Sequence, residues 1–370
     1  MPRNKRLHFK DIHALKALVF IPIFLYCTFS LINPTNTGAL AEVTIIAGKI
    51  SQSSFDFLFF LTAFLVTSHG LREYKYTEKF SLKNFYIRRI LRLSVVLTLS
   101  LVFAFALHPW LIGVLDLQPM VTPSIEPYIW LIPNYLSDFA GPQLIYLTII
   151  CTVFMFLQFY AFWGIMLRFF HNYLNLIAVI LLVVGLVSRV LHEYNQSDYL
   201  MDTLSFGIPI GIGALTAIAV RKESSVVVKL KEFSKNTNSF IYIIGSLLFL
   251  GGYILAKNSY LTAIIPLLTS LFFGYVLIEQ TFGKNSLVQF KTKKILTYLG
   301  KISYGMLVYQ AIINVMIIIA MESLDQNLDS FYMIGIVIVA SFIGTVVVSD
   351  ISFKLFEKPL LRFRREFKKV

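Results

Sequence analysis

Ten apolar stretches leave this chain few ways to fold. They run roughly over residues 14–34, 53–70, 93–115, 143–167, 174–191, 203–220, 239–256, 259–279, 299–321 and 331–353. A helix needs about 20 apolar residues to cross the hydrocarbon of a bilayer. Inside lipid each segment must satisfy its own backbone polar groups, so each stretch is expected as a helix. The reading is an all-α polytopic membrane helix bundle of about ten transmembrane helices. Composition agrees: 57% of residues are hydrophobic and 14% charged, against about 25% charged in ordinary soluble domains. The longest connections, 116–142 and 70–92, are too short for a separate soluble domain. Residues 1–370 therefore read as one transmembrane domain. A very short turn, Lys257-Asn258-Ser259, joins the seventh and eighth stretches.

A net charge of +13 is also found in nucleic-acid binders, but its placement argues for a membrane. Thirty of the thirty-three lysines and arginines fall on the face shared by the N-terminus, leaving Lys49, Arg189 and Lys257 for the other. Basic residues concentrate in cytoplasmic loops. Ten spans with both termini cytoplasmic follow, with membrane lipids as partners and no nucleic acid. The basic opening MPRNKRLHFK precedes a long apolar segment without a small-residue cleavage site, so it reads as a retained first helix. Cys27 and Cys151 lie inside apolar stretches, which gives neither a disulfide framework nor a zinc spacing. No metal site is expected.

Polar residues within the spans are few and carry the functional reading. Lys16 and Cys27 are eleven residues apart, which returns them to one helical stripe with the cation near the membrane surface. Asp56 and Thr62 follow on the second helix, Gln158 on the fourth and Gln310 on the ninth. By helix rise, Cys27, Gln158 and Gln310 all sit about 13–16 Å from the basic edge, with Thr62 at similar depth. Two readings stand: a shared internal cavity, or helix–helix hydrogen bonds worth about 0.6 kcal/mol each. His108 and His192 fall near outer helix ends, as interfacial residues or glycan contacts. No Ser/His/Asp set, nucleotide loop or metal cluster is evident. The proline-rich outer segment Ile125 to Pro142, with Tyr128, Trp130 and Tyr135, reads as an aromatic belt or as a lid over a glycan cleft.

Four segments, in order and along the whole chain, resemble the integral-membrane acyltransferase-3 family. ALKALVFIPIFLYC is similar to the family's "LRALAILLVVLFH", with Lys16 at the arginine position and Cys27 at the histidine position. DFLFFLTAFLVT, from Asp56, matches "DLFFVLSGFLIT" without a gap. FYIRRILRL, from Phe85, resembles "FYIRRIRRI", and LGKISYGMLVYQ, Leu299 to Gln310, resembles "LGKISYSLYLWH". FEKPLLR, from Phe356, resembles a terminal "EKPF" element. The resemblance implies transfer of an acetyl-type acyl group from cytoplasmic acyl-CoA to a hydroxyl of an envelope or exported polysaccharide, in a bacterial cytoplasmic membrane. Acyl-CoA, acetyl-CoA for example, is then a donor substrate rather than a bound cofactor. Lys16 and Cys27 hold the catalytic positions. Arg88, Arg89 and Arg92 meet the donor's phosphates. Asp56, Thr62, Gln158, Tyr160, Ser303, Tyr304 and Gln310 line the cavity.

The departures from that pattern are concentrated at its chemistry. Imidazole moves protons near neutral pH, yet a thiol stands at one histidine position and Gln310 at the other. The family's "WSLSVEEQFY" becomes CTVFMFLQFY, with Phe156 and Leu157 in place of two glutamates. Lys16 lacks the planar fork of arginine. A thioester on Cys27 is one route around these losses. The alternative is a catalytically degenerate member acting in polysaccharide or lipid-linked sugar export, or as a membrane scaffold.

Overall fold

The computed structural model describes residues 12–32, 39–115, 124–136, 145–222, 224–256, 260–283, 293–324 and 330–363. The turn at Lys257-Asn258-Ser259, the basic segment before Asp11 and parts of the 116–142 connection lie outside them. Among the described residues there are helices and no strand, and ten helices are long and apolar enough to cross a membrane.

The chain begins with α1 (Ile12–Ile32) and the long α2 (Ala39–Thr77). α3 (Leu82–Val102) passes through a π turn, Phe103–Leu107, into α4 (His108–Val114), the two together making one span. Two single-turn helices, α5 (Glu126–Ile129) and α6 (Pro133–Leu136), follow. Next come α7 (Ile145–Phe169), α8 (Leu174–Tyr194), α9 (Gly207–Arg221) and the short α10 (Ser225–Leu230). The last spans are α11 (Lys235–Leu255), α12 (Leu261–Phe282), α13 (Lys294–Ser323) and α14 (Phe331–Ser352). A second π turn, Phe353–Glu357, leads α14 into α15 (Lys358–Phe363).

Hydrogen bonds between helix ends fix the threading. The start of α1 meets the start of α13, where His13 Nδ1 lies 3.3 Å from the Gly300 carbonyl oxygen. The ends of α2 and α7 meet where Tyr74 donates to the Arg168 carbonyl at 2.9 Å. The ends of α2 and α9 meet where Arg221 donates to Ser68 at 3.1 Å. These contacts define a basic face, which also carries Lys16, Arg88 and Lys301, and an opposite face. One expectation about charge changes here. Arg189, counted with the opposite face, is buried on α8 rather than exposed there.

α2 is the hub. Phe55, Phe57, Phe59, Phe60, Leu61, Phe64 and Val66 are all buried, the all-round apolarity of a helix enclosed by others. It packs on α9, α1, α11 and α12, while α8, α11 and α14 bury little of their length and form the rim. At several backbone contacts only glycine fits, two of them on the hub and its neighbours. A side-chain carbon on Gly300 would collide with the His13 carbonyl, and one on Gly213 with the Phe60 carbonyl. Small residues permit such backbone approach in membrane bundles.

The connection after α4 is more ordered than a solvated loop. α5 and α6 turn back onto α7, with Tyr128 buried edge-on against Phe105 and Phe154, at 5.2 and 5.7 Å between ring centres. Trp130 and Tyr135 stay exposed. His108, expected near an interface, is buried beside the Phe103 ring, 5.7 Å away, just after the π turn.

Candidate functional site

A cavity opens among α1, α2, α3, α7 and α13. Its polar lining comes from Lys16, Thr62, Arg89, Tyr160, Ser303 and Tyr304, and its apolar lining includes Phe20, Ile23, Phe156 and Leu307. Helical spacing explains the convergence. Phe20 and Ile23 lie four and seven residues beyond Lys16, on one stripe of α1. Arg89 is steered by aromatics: its guanidinium sits 4.9 Å from the centre of the Tyr160 ring and 5.6 Å from that of Phe85, both cation–π distances. The volume is about 60 Å³, where one water needs about 10–15 Å³. It holds a few waters or a group the size of acetyl.

Cys27 and Gln310 meet directly beyond this cavity. Gln310 Nε2 donates to Cys27 Sγ at 3.8 Å, and both side chains are fully buried. Ile23 in the cavity wall is one turn before Cys27, and Leu307 is three residues before Gln310. One turn further, Asn314 donates to the Thr28 hydroxyl at 3.0 Å. A polar seam therefore runs along the α1–α13 contact away from the basic face. Gln310 Oε1 and Asn314 Oδ1 are buried along it with no donor among the described residues.

Other expected cavity residues lie elsewhere. Gln158 shares the helix of Phe156 and Tyr160 but points to another side. It donates to the Leu131 carbonyl at 2.8 Å and to Asn134 Oδ1 at 2.7 Å, and accepts from Thr203 at 2.5 Å. It ties α5 and α6 to the bundle. Asp56 does not reach the cavity either. It forms a buried ion pair with Arg189 at 2.5 Å and accepts from the Tyr253 hydroxyl at 2.5 Å. Arg189 also donates to the Ser205 carbonyl at 2.9 Å and lies 4.3 Å from the centre of the Tyr199 ring. Arg88 pairs with Glu73 at 2.9 Å, which also accepts from the Ser81 backbone, so it holds the α2–α3 turn at the basic face. The side chain of Arg92 lies outside the described ones.

Of the residues expected to act, the structure thus brings Lys16, Thr62, Arg89, Tyr160, Ser303 and Tyr304 to one cavity and Cys27 and Gln310 to its inner end. It sends Asp56, Gln158 and Arg88 to structural ties. The sequence held one unread signal for the buried pair: an aspartate in an apolar run requires a counter-charge, and Arg189 lies in an apolar stretch. The chain matches no protein-family model, no curated protein and no solved structure.

Chemically, the cavity offers cations and hydroxyls, with the thiol–amide pair buried beyond it. Phe156 fills the wall where the resembled pattern has a carboxylate. The arrangement suits binding an anionic, oxygen-rich group at the basic face and seating a small acyl group beneath it.

Proposed function

We propose that this protein is an integral-membrane acyl-handling protein of the acyltransferase-3 type, which takes acyl-CoA at its cytoplasmic face and directs the acyl group toward a hydroxyl of an envelope or exported polysaccharide. One observation carries the reading. Residues from all four family-like segments converge on a single cavity at the basic face: Lys16, Thr62, Arg89 and Ser303 with Tyr304. The concentration of lysine and arginine there supports a cytoplasmic orientation for that face, with both termini inside. Arg89 and Lys16 meet the donor's phosphates or thioester carbonyl. A bacterial cytoplasmic membrane is the setting this reading implies.

A second reading is favoured by a separate observation. Cys27 faces the amide of Gln310, which cannot take its proton as a base would. On that reading the cavity passes or senses an acyl or sugar group in export without transferring it.

The two are separated in membranes supplied with labelled acetyl-CoA and candidate glycans. Transfer of label by wild type, abolished by Arg89→Ala and by Cys27→Ala, supports catalysis. Acetyl-CoA binding without transfer, with transfer gained on Cys27→His, supports the non-catalytic reading. Failure to bind acetyl-CoA overturns the proposal.

A further inference from the structure

The opposite face carries a cluster that the inner cavity does not use. In the last turn of α8 and the connection to α9, within eleven residues, lie His192, Ser197 and Asp202. Ser197 Oγ is 2.8 Å from His192 Nδ1, and His192 Nε2 is 3.2 Å from Asp202 Oδ2. The tautomer that satisfies both contacts carries its proton on Nε2, toward the carboxylate. Nδ1 is then free to accept from the serine hydroxyl. This is the nucleophile–base–orienter order of serine acyl transfer, with the two ring nitrogens exchanged.

The supporting groups are equally specific. Asp202 is fixed by donors on every side: the hydroxyls of Ser188, Ser205 (2.9 Å) and Tyr135 (3.1 Å), and the backbone N–H groups of Leu204 (3.0 Å) and Ser205 (3.2 Å). Ser197 is held over the end of α8 by its own N–H, which donates to the His192 carbonyl at 3.0 Å. Gln196 just before it takes the left-handed conformation, φ 52°, which is uncommon for a side-chain-bearing residue. Ser197 and His192 line a pocket of about 770 Å³ with Lys49, Gln52, Glu193 and Tyr260. Gln52 Oε1 in that wall is buried without a donor among the described residues. The pocket has the size of a small-molecule site, and its aromatic and hydrogen-bonding wall suits a sugar-like polyol.

We propose that Ser197 and His192 form a second acyl-transfer centre on the opposite face, with Asp202 as its positioning residue, acting on an oxo-ester or thioester donor and a hydroxyl acceptor. Ser197 Oγ attacks the acyl carbon while His192 Nδ1 takes its proton. The donor's alcohol or thiol leaves with that proton, and the acyl group remains as a serine ester. An acceptor hydroxyl then gives its proton to His192 and attacks the ester, which releases Ser197. The Lys49 ammonium in the pocket is the cation available to the developing oxyanion. The centre is independent of the inner cavity and needs neither acyl-CoA nor Cys27.

The full-length protein in lipid nanodiscs is treated with a fluorophosphonate, which phosphonylates a serine only where a base removes its proton. Label is expected on Ser197, falling about 100-fold with His192→Gln. A second measurement avoids reliance on the phosphonate. In Ser197→Cys the introduced thiol is the exposed one, because Cys27 and Cys151 are buried. Its alkylation by iodoacetamide is expected to slow at least about 10-fold when His192→Gln is added. Asp202→Asn should slow it too, and Asp202→Glu should restore part of the rate. A Ser197 that takes no label, or a thiol whose alkylation ignores His192, overturns the proposal.

Discussion

Asp56 and Arg189 sit where neither charge tolerates solitude. Both side chains are almost wholly buried, and Tyr253 bridges them. Removing one partner of such a pair costs about 3–5 kcal/mol, because the other is left uncompensated. Asp56→Ala and Arg189→Met should each lose that much in denaturant unfolding from detergent micelles. The double variant Asp56→Leu/Arg189→Met should regain most of it. A single variant as stable as wild type would show that the pair does not hold the bundle. At this scale the sequence was partly readable. The stripe from Lys16 to Cys27 follows from helix periodicity alone. The destination of Gln158 does not, because rotation about the axis of α7 decides between cavity and α5–α6, and its neighbours Phe156 and Tyr160 face the other way.

The start of α9 shows how a polar residue sets an element. Asp202 accepts the N–H groups of Leu204 and Ser205, the orphan donors of the 3₁₀ turn that opens the helix. Partial burial opposes its charge, but hydrogen bonds from Ser188, the Leu204 backbone, Ser205 and Tyr135 outweigh it and hold the carboxyl below the usual range. An unfolded aspartate titrates near about pH 3.9. The stabilisation is therefore complete above that value and fades as pH falls through the lower folded one. Wild type should lose more stability than Asp202→Asn between neutral pH and about pH 3, measured by urea unfolding. Parallel losses would mean that the carboxylate is not the acid-sensitive group. Helix positions were legible because apolar length is a direct consequence of bilayer thickness. The cluster around Asp202 was not. Separations of five and ten residues across an irregular connection match neither helical nor strand periodicity, so only the folded chain reveals that His192, Ser197 and Asp202 are neighbours.

For the whole molecule, threading and charge make one joint prediction. Gln196 and Lys79 are both exposed, on opposite faces. With Cys27 and Cys151 buried, a single cysteine at either place reports its side of the membrane. Gln196→Cys should react with an impermeant maleimide in intact cells, and Lys79→Cys only after permeabilisation. The reverse pattern would invert the molecule and place the cavity of Lys16 and Arg89 at the outer face, against the proposed cytoplasmic donor. The buried arginine of α8 also bears on how the protein is made. Arg189 lies five residues before the end of α8, so inserting that helix alone costs less than the ~2.5–3.5 kcal/mol of an arginine at a helix centre, and its carboxylate partner is synthesised more than a hundred residues earlier. α2 is then expected to stay beside the insertion machinery, or return to it, as α8 emerges. The ion pair that joins them would then act as a checkpoint in biogenesis, passed once when the nascent chain commits its first and second halves to one another.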